Sequence, residues 1–196
     1  MPGKPPAAGK SSFDLIDKKR FFSQLDLPPN STLIDLACGV GNYSIEISKI
    51  SGAEYKIYAI DLWAEGIEEL NALIRDQGIT NIHTFVADIS REIPLETASA
   101  DMCLLATTLH DLSQEAQDST MREVHRVLKP EGIFIIIEFK KIDKGPGPPI
   151  SIRLSEDEVD EFIVKYGFAK IAGSELGTYN YLCRYQKNTF PGQAVE

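Results

Sequence analysis

A chain of 196 residues with 20 Lys and Arg against 29 Asp and Glu carries a formal net charge of −9, which excludes an extended phosphate-binding surface but not a local basic pocket. With 43% hydrophobic and 25% charged residues it has an ordinary globular composition, and its length suits one domain with a sizeable core. Three cysteines cannot all pair; Cys38, Cys103 and Cys183 lie in or beside apolar runs and read as buried free thiols of a reducing compartment, the cytoplasm.

Taken in chain order, residues 1–12 are rich in Pro, Gly, Ala and Lys and read as a flexible leader, not a signal peptide. A single domain is expected over 13–186 and a frayed tail over 187–196, with no apolar stretch long enough to cross a bilayer. Residues 13–25, with Leu15, Ile16, Phe21, Phe22 and Leu25, fit a helix stopped by Pro28 and Pro29. Leu33-Ile34-Asp35-Leu36 is a buried strand, and Gly39 and Gly41 make a tight turn into a helix over 42–50. A second strand follows at 55–60. Trp63, Ile67, Leu70 and Ile74 then mark a helix ended by Gly78.

A third strand is expected at 82–86, a loop with room for a short helix at 90–99, and a fourth strand at 102–106. Ser113 caps a helix through Leu128, and Lys129-Pro130-Glu131-Gly132 is a turn. Residues 133–138 are continuously apolar and β-branched up to Glu138, as a strand covered on both faces should be. The Gly- and Pro-rich segment 140–149 breaks the pattern. Ser155 and Glu158 form a capping box for a helix with Val159, Phe162, Ile163 and Tyr166, ended by Gly167. Strands at 168–172 and 179–185 close the chain as a hairpin. The alternation is that of an α/β sandwich on a mostly parallel sheet.

The glycine turn is where a ligand belongs, because a strand feeding a helix through it points free N–H groups at the crevice. Asp35 discriminates among ligands: a carboxylate there repels a pyrophosphate and draws an ammonium or sulfonium. The third glycine of a dinucleotide fingerprint is also missing, Ser44 standing in its place. Asp35-Leu36-Ala37-Cys38-Gly39-Val40-Gly41-Asn42 resembles the first motif of the class I S-adenosylmethionine-dependent methyltransferases, the ubiquinone/menaquinone-type and short stand-alone members in particular. Asp61, Asp88-Ile89 and Val127-Leu128-Lys129-Pro130-Glu131-Gly132 follow in the family's order, so the resemblance covers about residues 31–186.

It implies a Rossmann-like three-layer sandwich with a seven-stranded, mostly parallel sheet in the order 3-2-1-4-5-7-6, strand 7 antiparallel. It implies S-adenosylmethionine as cofactor, leaving as S-adenosylhomocysteine. Carried onto this chain, it puts Asp35, Ala37, Gly39, Gly41, Asn42, Asp61, Leu62, Asp88, Ile89 and Thr107 around that cofactor. Asp61 would accept both ribose hydroxyls, Asp88 the adenine amino group beside the Ile89 N–H, and Asp35 would orient the methionyl ammonium. Asp61 also suits a turn after a strand, and Asp88 a turn or an N-cap, though the cofactor roles are favoured.

On the acceptor side, His110 and Asp111 follow the fourth strand, where family members place substrate-facing groups. A histidine's ordinary pKa near 6.5 suits a general base, although His110 equally fits a structural role. Arg153, with Lys140, Lys141 and Lys144, makes a basic cluster flanking the Gly/Pro segment. That segment reads as a lid favouring an anionic acceptor, or as a solvated connector. His83 and His125 fall on a strand and a helix and carry no chemistry; no metal-ligand spacing is present. The expected activity is methyl transfer to a small molecule, with neither nucleic acid nor a membrane span. The alternatives are a non-catalytic S-adenosylmethionine-binding partner, an aminopropyl-transferring enzyme (which the basic cluster disfavours) and an NAD-dependent oxidoreductase (which Asp35 disfavours). Arsenite methylation would need several exposed cysteines.

Overall fold

The computed structural model describes residues 9–26 and 28–188. Seven strands, β1 (Thr32–Leu36), β2 (Lys56–Asp61), β3 (Ile82–Val86), β4 (Ala100–Ala106), β5 (Leu128–Phe139), β6 (Phe168–Glu175) and β7 (Asn180–Lys187), form one sheet in the order β3-β2-β1-β4-β5-β7-β6. Pairing is parallel from β3 to β5, and β7 runs antiparallel to both β5 and β6. The strand order that the resemblance implied is therefore the one present.

Side chains alternate across the sheet, as the two-residue period of a strand demands. Leu33, Met102, Leu104, Ile135 and Ile137 face α1 (Lys18–Phe22), α2 (Asn42–Ser51) and α3 (Ala64–Asp76). Ile34, Leu36, Cys103, Leu105, Phe134 and Ile136 face α4 (Gln114–Val127) and α5 (Glu156–Ile163). Both expected caps are made: Ser113 Oγ accepts from the Ala116 N–H, and Ser155 and Glu158 close a reciprocal box.

Several expectations need correction. The helix read over 13–25 shrinks to Lys18–Phe22, capped by Asp17. Phe13, Ile16, Phe21 and Leu25 are buried all the same, with Phe13 and Phe21 edge-on to the Tyr43 ring at 4.9 and 5.2 Å. The Asp17 N–H donates to the Leu176 carbonyl, so a tertiary contact sets where the helix begins. Residues 129–132 are not a separate turn but a bulge inside β5, between the Ala100–Leu128 and Met102–Ile133 pairs, with Glu131 at φ +63°. Asp101 anchors that bulge by accepting from Lys129 Nζ and from the Thr32 N–H. No helix forms over 90–99.

Lys187 belongs to β7, its Nζ donating to the His125 and Leu128 carbonyls at 2.6 and 2.8 Å, rather than to a tail. Residues 189–196 and 1–8 lie outside the described residues. Cys103 and Cys183 are buried as expected, whereas Cys38 is only half-buried. Among the described residues no helix is long and apolar enough to cross a membrane.

Candidate functional site

Strands leave β1 in both directions, towards β2 on one side and β4 on the other, and ligands in such sheets sit beyond the carboxyl ends at this reversal. A cavity of about 220 Å³ lies there. Of the residues that the resemblance puts around the cofactor, Asp35, Ala37, Gly39, Asn42, Asp61, Leu62, Asp88, Ile89 and Thr107 border it; Gly41 does not. Gly41 is a packing residue instead. Its φ is +75°, and a Cβ on it would come within 2.5 Å of Leu70 Cδ1 on α3.

The turn is built from alternate left-handed residues, Ala37, Gly39 and Gly41, at φ +54°, +58° and +75°. Such a run turns backbone N–H groups into a concavity. One carboxylate fills part of it: Gly39 N–H donates to Asp61 Oδ2 and Trp63 N–H to Asp61 Oδ1, both at 2.7 Å. Asp61 thus ties the turn after β1 to the start of α3. Among the described residues two of its roughly four acceptor positions are used, which leaves room for a pair of hydroxyl donors. A Cβ added at Gly39 would meet no atom within 4 Å, so only open space lies against the backbone there.

Asp35 points from β1 towards α2, is 1% exposed, and accepts from Ser44 Oγ at 2.6 Å. Burial pushes its pKa up to about 7, the Ser44 hydrogen bond opposing and the Asp61 charge adding. It is therefore not the fixed negative charge the sequence suggests. It shares a proton near neutral pH, and an arriving cation would displace that proton. Asp88 Oδ1 accepts from the Ser90 N–H and Oγ in a turn, and the residue also borders the cavity. Burial pushes the Cys38 thiol well up, with Asp35 and Asp61 adding, so no ready thiolate stands in the site.

A second cavity, of about 670 Å³, adjoins the first and shares Lys10, Ser11, Ser12, Thr107 and Asp111 with it. Its remaining walls are Leu15, His110, Phe139, residues 146–149 and Ile152. Residues 9–12, the described part of the stretch expected as a leader, thus border the cavities. Ser12 is 3% exposed, with its Oγ 2.8 Å from Tyr43 Oη and 3.1 Å from Thr107 Oγ1. Thr107 itself sits at φ +51°, a strained conformation for a β-branched residue, held by its N–H on the Ile137 carbonyl.

His110 lies in a single turn after β4, its ring 3% exposed and its Nδ1 2.7 Å from Glu138 Oε2. Glu138, next to last in β5, is fully buried, and its Oε1 accepts from the His110 backbone N–H. Asp111 Oδ1 lies 3.6 Å from His110 Nε2. Burial works against the imidazolium, but hydrogen bonding and charge from Glu138, with help from Asp111, outweigh it and raise the His110 pKa; Arg153 opposes them. Glu138 was missed in the sequence, where its only signal is a lone acid closing an otherwise apolar strand.

Arg153 does not face a substrate. It is 4% exposed, and its guanidinium donates to the carbonyls of Pro148, Lys140, Ile142 and Pro146 at 2.9 to 3.1 Å. The Gly/Pro segment is therefore a clipped wall of the second cavity. Lys140 is likewise engaged by the Gly177 carbonyl, and Lys141 by Glu158.

The donor set fits an adenosyl amino acid better than a pyrophosphate: four acids, Asp35, Asp61, Asp88 and Asp111, border the first cavity, and the lysine among its described walls, Lys10, also borders the second. A family described as "Methyltransferase domain" matches residues 27–168. The demethylmenaquinone methyltransferase of Lactobacillus johnsonii is 26% identical over 165 residues, 84% of this chain and 64% of that protein. The ubiquinone/menaquinone biosynthesis C-methyltransferase of Idiomarina loihiensis is 25% identical over 76% of this chain and 57% of its own. The chain thus spans less than two thirds of the length of these curated relatives. A SAM-dependent methyltransferase from Aquifex aeolicus superposes with a TM-score of 0.81 at 27% identity, covering 93% of this chain and 94% of that one.

Proposed function

The chain belongs to the methyltransferase-domain family, and from that membership we propose that it transfers a methyl group from S-adenosylmethionine to a small-molecule acceptor by in-line displacement. The observation that carries this reading is the junction of two cavities at Ser12, Thr107 and Asp111, where donor and acceptor can be held face to face. Asp35, Asp61, Asp88 and the glycine turn would hold the cofactor, which when bound supplies a methyl group on a cationic sulfur that departs with the bonding pair.

The chain's own residues align the partners and exclude water. Ser12, tied to Tyr43 and Thr107, closes the seam between the cavities. His110 borders the acceptor cavity and would take a proton from an acceptor that loses one on attack. The walls formed by Leu15, Phe139, residues 146–149 and Ile152 favour a mostly apolar acceptor, and with Arg153 committed to the loop the cation left at the cavity's described walls is Lys10. The printed names of the curated relatives refer to quinones, so a quinone-type ring methylated on carbon is the first acceptor to try. Three unpaired cysteines support a cytoplasmic setting.

Calorimetry with S-adenosylhomocysteine and with NAD tests the donor, and turnover of labelled S-adenosylmethionine across apolar hydroxylated acceptors tests the chemistry. Saturable binding of NAD alone would reject the proposal. Tight binding of S-adenosylhomocysteine without turnover of any acceptor would favour a non-catalytic binding partner.

A further inference from the structure

We infer that Glu138 is a positioning residue that fixes which ring nitrogen of His110 is free, and that the site therefore serves acceptors whose nucleophilic atom carries a proton. The inference rests on the methyl-transfer reading and says what the acceptor must bring to it. Glu138 is wholly enclosed near the end of β5, and both its oxygens accept from backbone N–H groups, Oε1 from His110 and Oε2 from Phe139, with Oε2 placed 2.7 Å from Nδ1. Nδ1 must then carry its hydrogen, and in the neutral ring the lone pair falls to Nε2.

The second hydrogen bond, from the His110 backbone N–H to Glu138 Oε1, holds the residue at both ends. The Phe139 ring stands edge-on to the imidazole at 6.0 Å and limits its rotation. The polar atom nearest Nε2 among the described residues is Asp111 Oδ1 at 3.6 Å, beyond hydrogen-bond distance, and the ring borders the acceptor cavity. A buried acid and a buried histidine locked in one tautomer are more than a methyl acceptor without a proton would need.

In the proposed step the bond between the acceptor's nucleophilic atom and its proton breaks, the pair left on that atom bonds the methyl carbon, and the methyl–sulfur pair would leave on the donor's sulfur. The proton joins the Nε2 lone pair, giving an imidazolium beside Glu138. The groups facing His110 are Glu138 from β5, Asp111 from its own turn and Arg153 from the segment after β5, so the base form is filled only above an elevated midpoint.

The test uses nitrogen NMR of the labelled full chain, with His110 assigned by its loss in His110→Asn and with His83 and His125 as internal references. The expected result is a neutral ring protonated at Nδ1, titrating above about 6.5. Glu138→Gln should lower that midpoint by at least half a unit, while Glu138→Asp should keep most of it. A wild-type ring protonated at Nε2, or a midpoint indifferent to Glu138→Gln, overturns the inference. If Glu138→Gln fails to fold, the wild-type tautomer alone decides. With an acceptor in hand, Glu138→Gln should lose at least tenfold in kcat with cofactor KM unchanged, and its pH profile should follow the NMR midpoint; an unchanged kcat also overturns it. Absence of cofactor binding would instead strike the proposed function and leave the tautomer result intact.

Discussion

Replacing Asp35 with Asn separates folding from ligand binding in a way that can be worked out in advance. Asp35 is buried beneath the glycine turn with a pKa of about 7, against about 3.9 for an exposed aspartate. The folded chain therefore keeps a proton between pH 4 and 7 that the unfolded chain has released. Stability attributable to this group is fully present below pH 4 and falls as pH rises to 7. A shift of about 3 units corresponds to about 4 kcal/mol at most.

Asn cannot ionise, so Asp35→Asn escapes that loss. It should match the wild type near pH 4.5 and exceed it by up to about 4 kcal/mol at pH 8, or about 10 °C in Tm for a chain of this size. Its affinity for S-adenosylhomocysteine should drop at least tenfold, because no carboxylate remains for the ammonium. Wild-type affinity should itself weaken below pH 7 as the proton competes with the cation. Urea titrations of both proteins from pH 4.5 to 8, paired with calorimetry, provide the measurement. A stability difference that stays constant across that range would refute the reasoning about burial.

Gly41→Ala should cost about 2 kcal/mol of stability through the Leu70 clash and the left-handed backbone, whereas Gly39→Ala should cost about 1 kcal/mol and act mainly on cofactor affinity; paired melts and calorimetry separate the two. Arg153→Met should destabilise by about 3 kcal/mol, since four loop carbonyls lose a charged donor, and should raise acceptor KM more than cofactor KM. Asp61→Ala should weaken S-adenosylhomocysteine binding at least tenfold by calorimetry, because it removes both the expected hydroxyl acceptor and the anchor of the Gly39 N–H; unchanged affinity would take Asp61 out of the site.

Strands and most helices were legible because they are written in local patterns. The apolar run before Glu138 and the Ser155–Glu158 box announce themselves within a few residues. Strand order was not local and came only with the family resemblance. What escaped was chemistry assembled across the chain: Ser12 meets Thr107 95 positions away, and His110 meets Glu138 28 positions away. Charge alone also misled. Arg153 and Lys140 look like a basic rim, yet the first folds inward onto loop carbonyls and the second onto Gly177. Residues 9–12 read as featureless on composition, because a small polar residue such as Ser12 declares a role only through what it touches.

The clasp made by Arg153 has an evolutionary corollary. Every oxygen it grips is a main-chain carbonyl, at Lys140, Ile142, Pro146 and Pro148. Side chains between the ends of that segment, apart from the sterically fixed Gly145 and Gly147, can therefore be exchanged while the grip persists. A lineage, or a designer, could retune the shape and polarity presented to the acceptor by substituting within 140–152, leaving the cofactor half of the molecule untouched so long as the arginine stays.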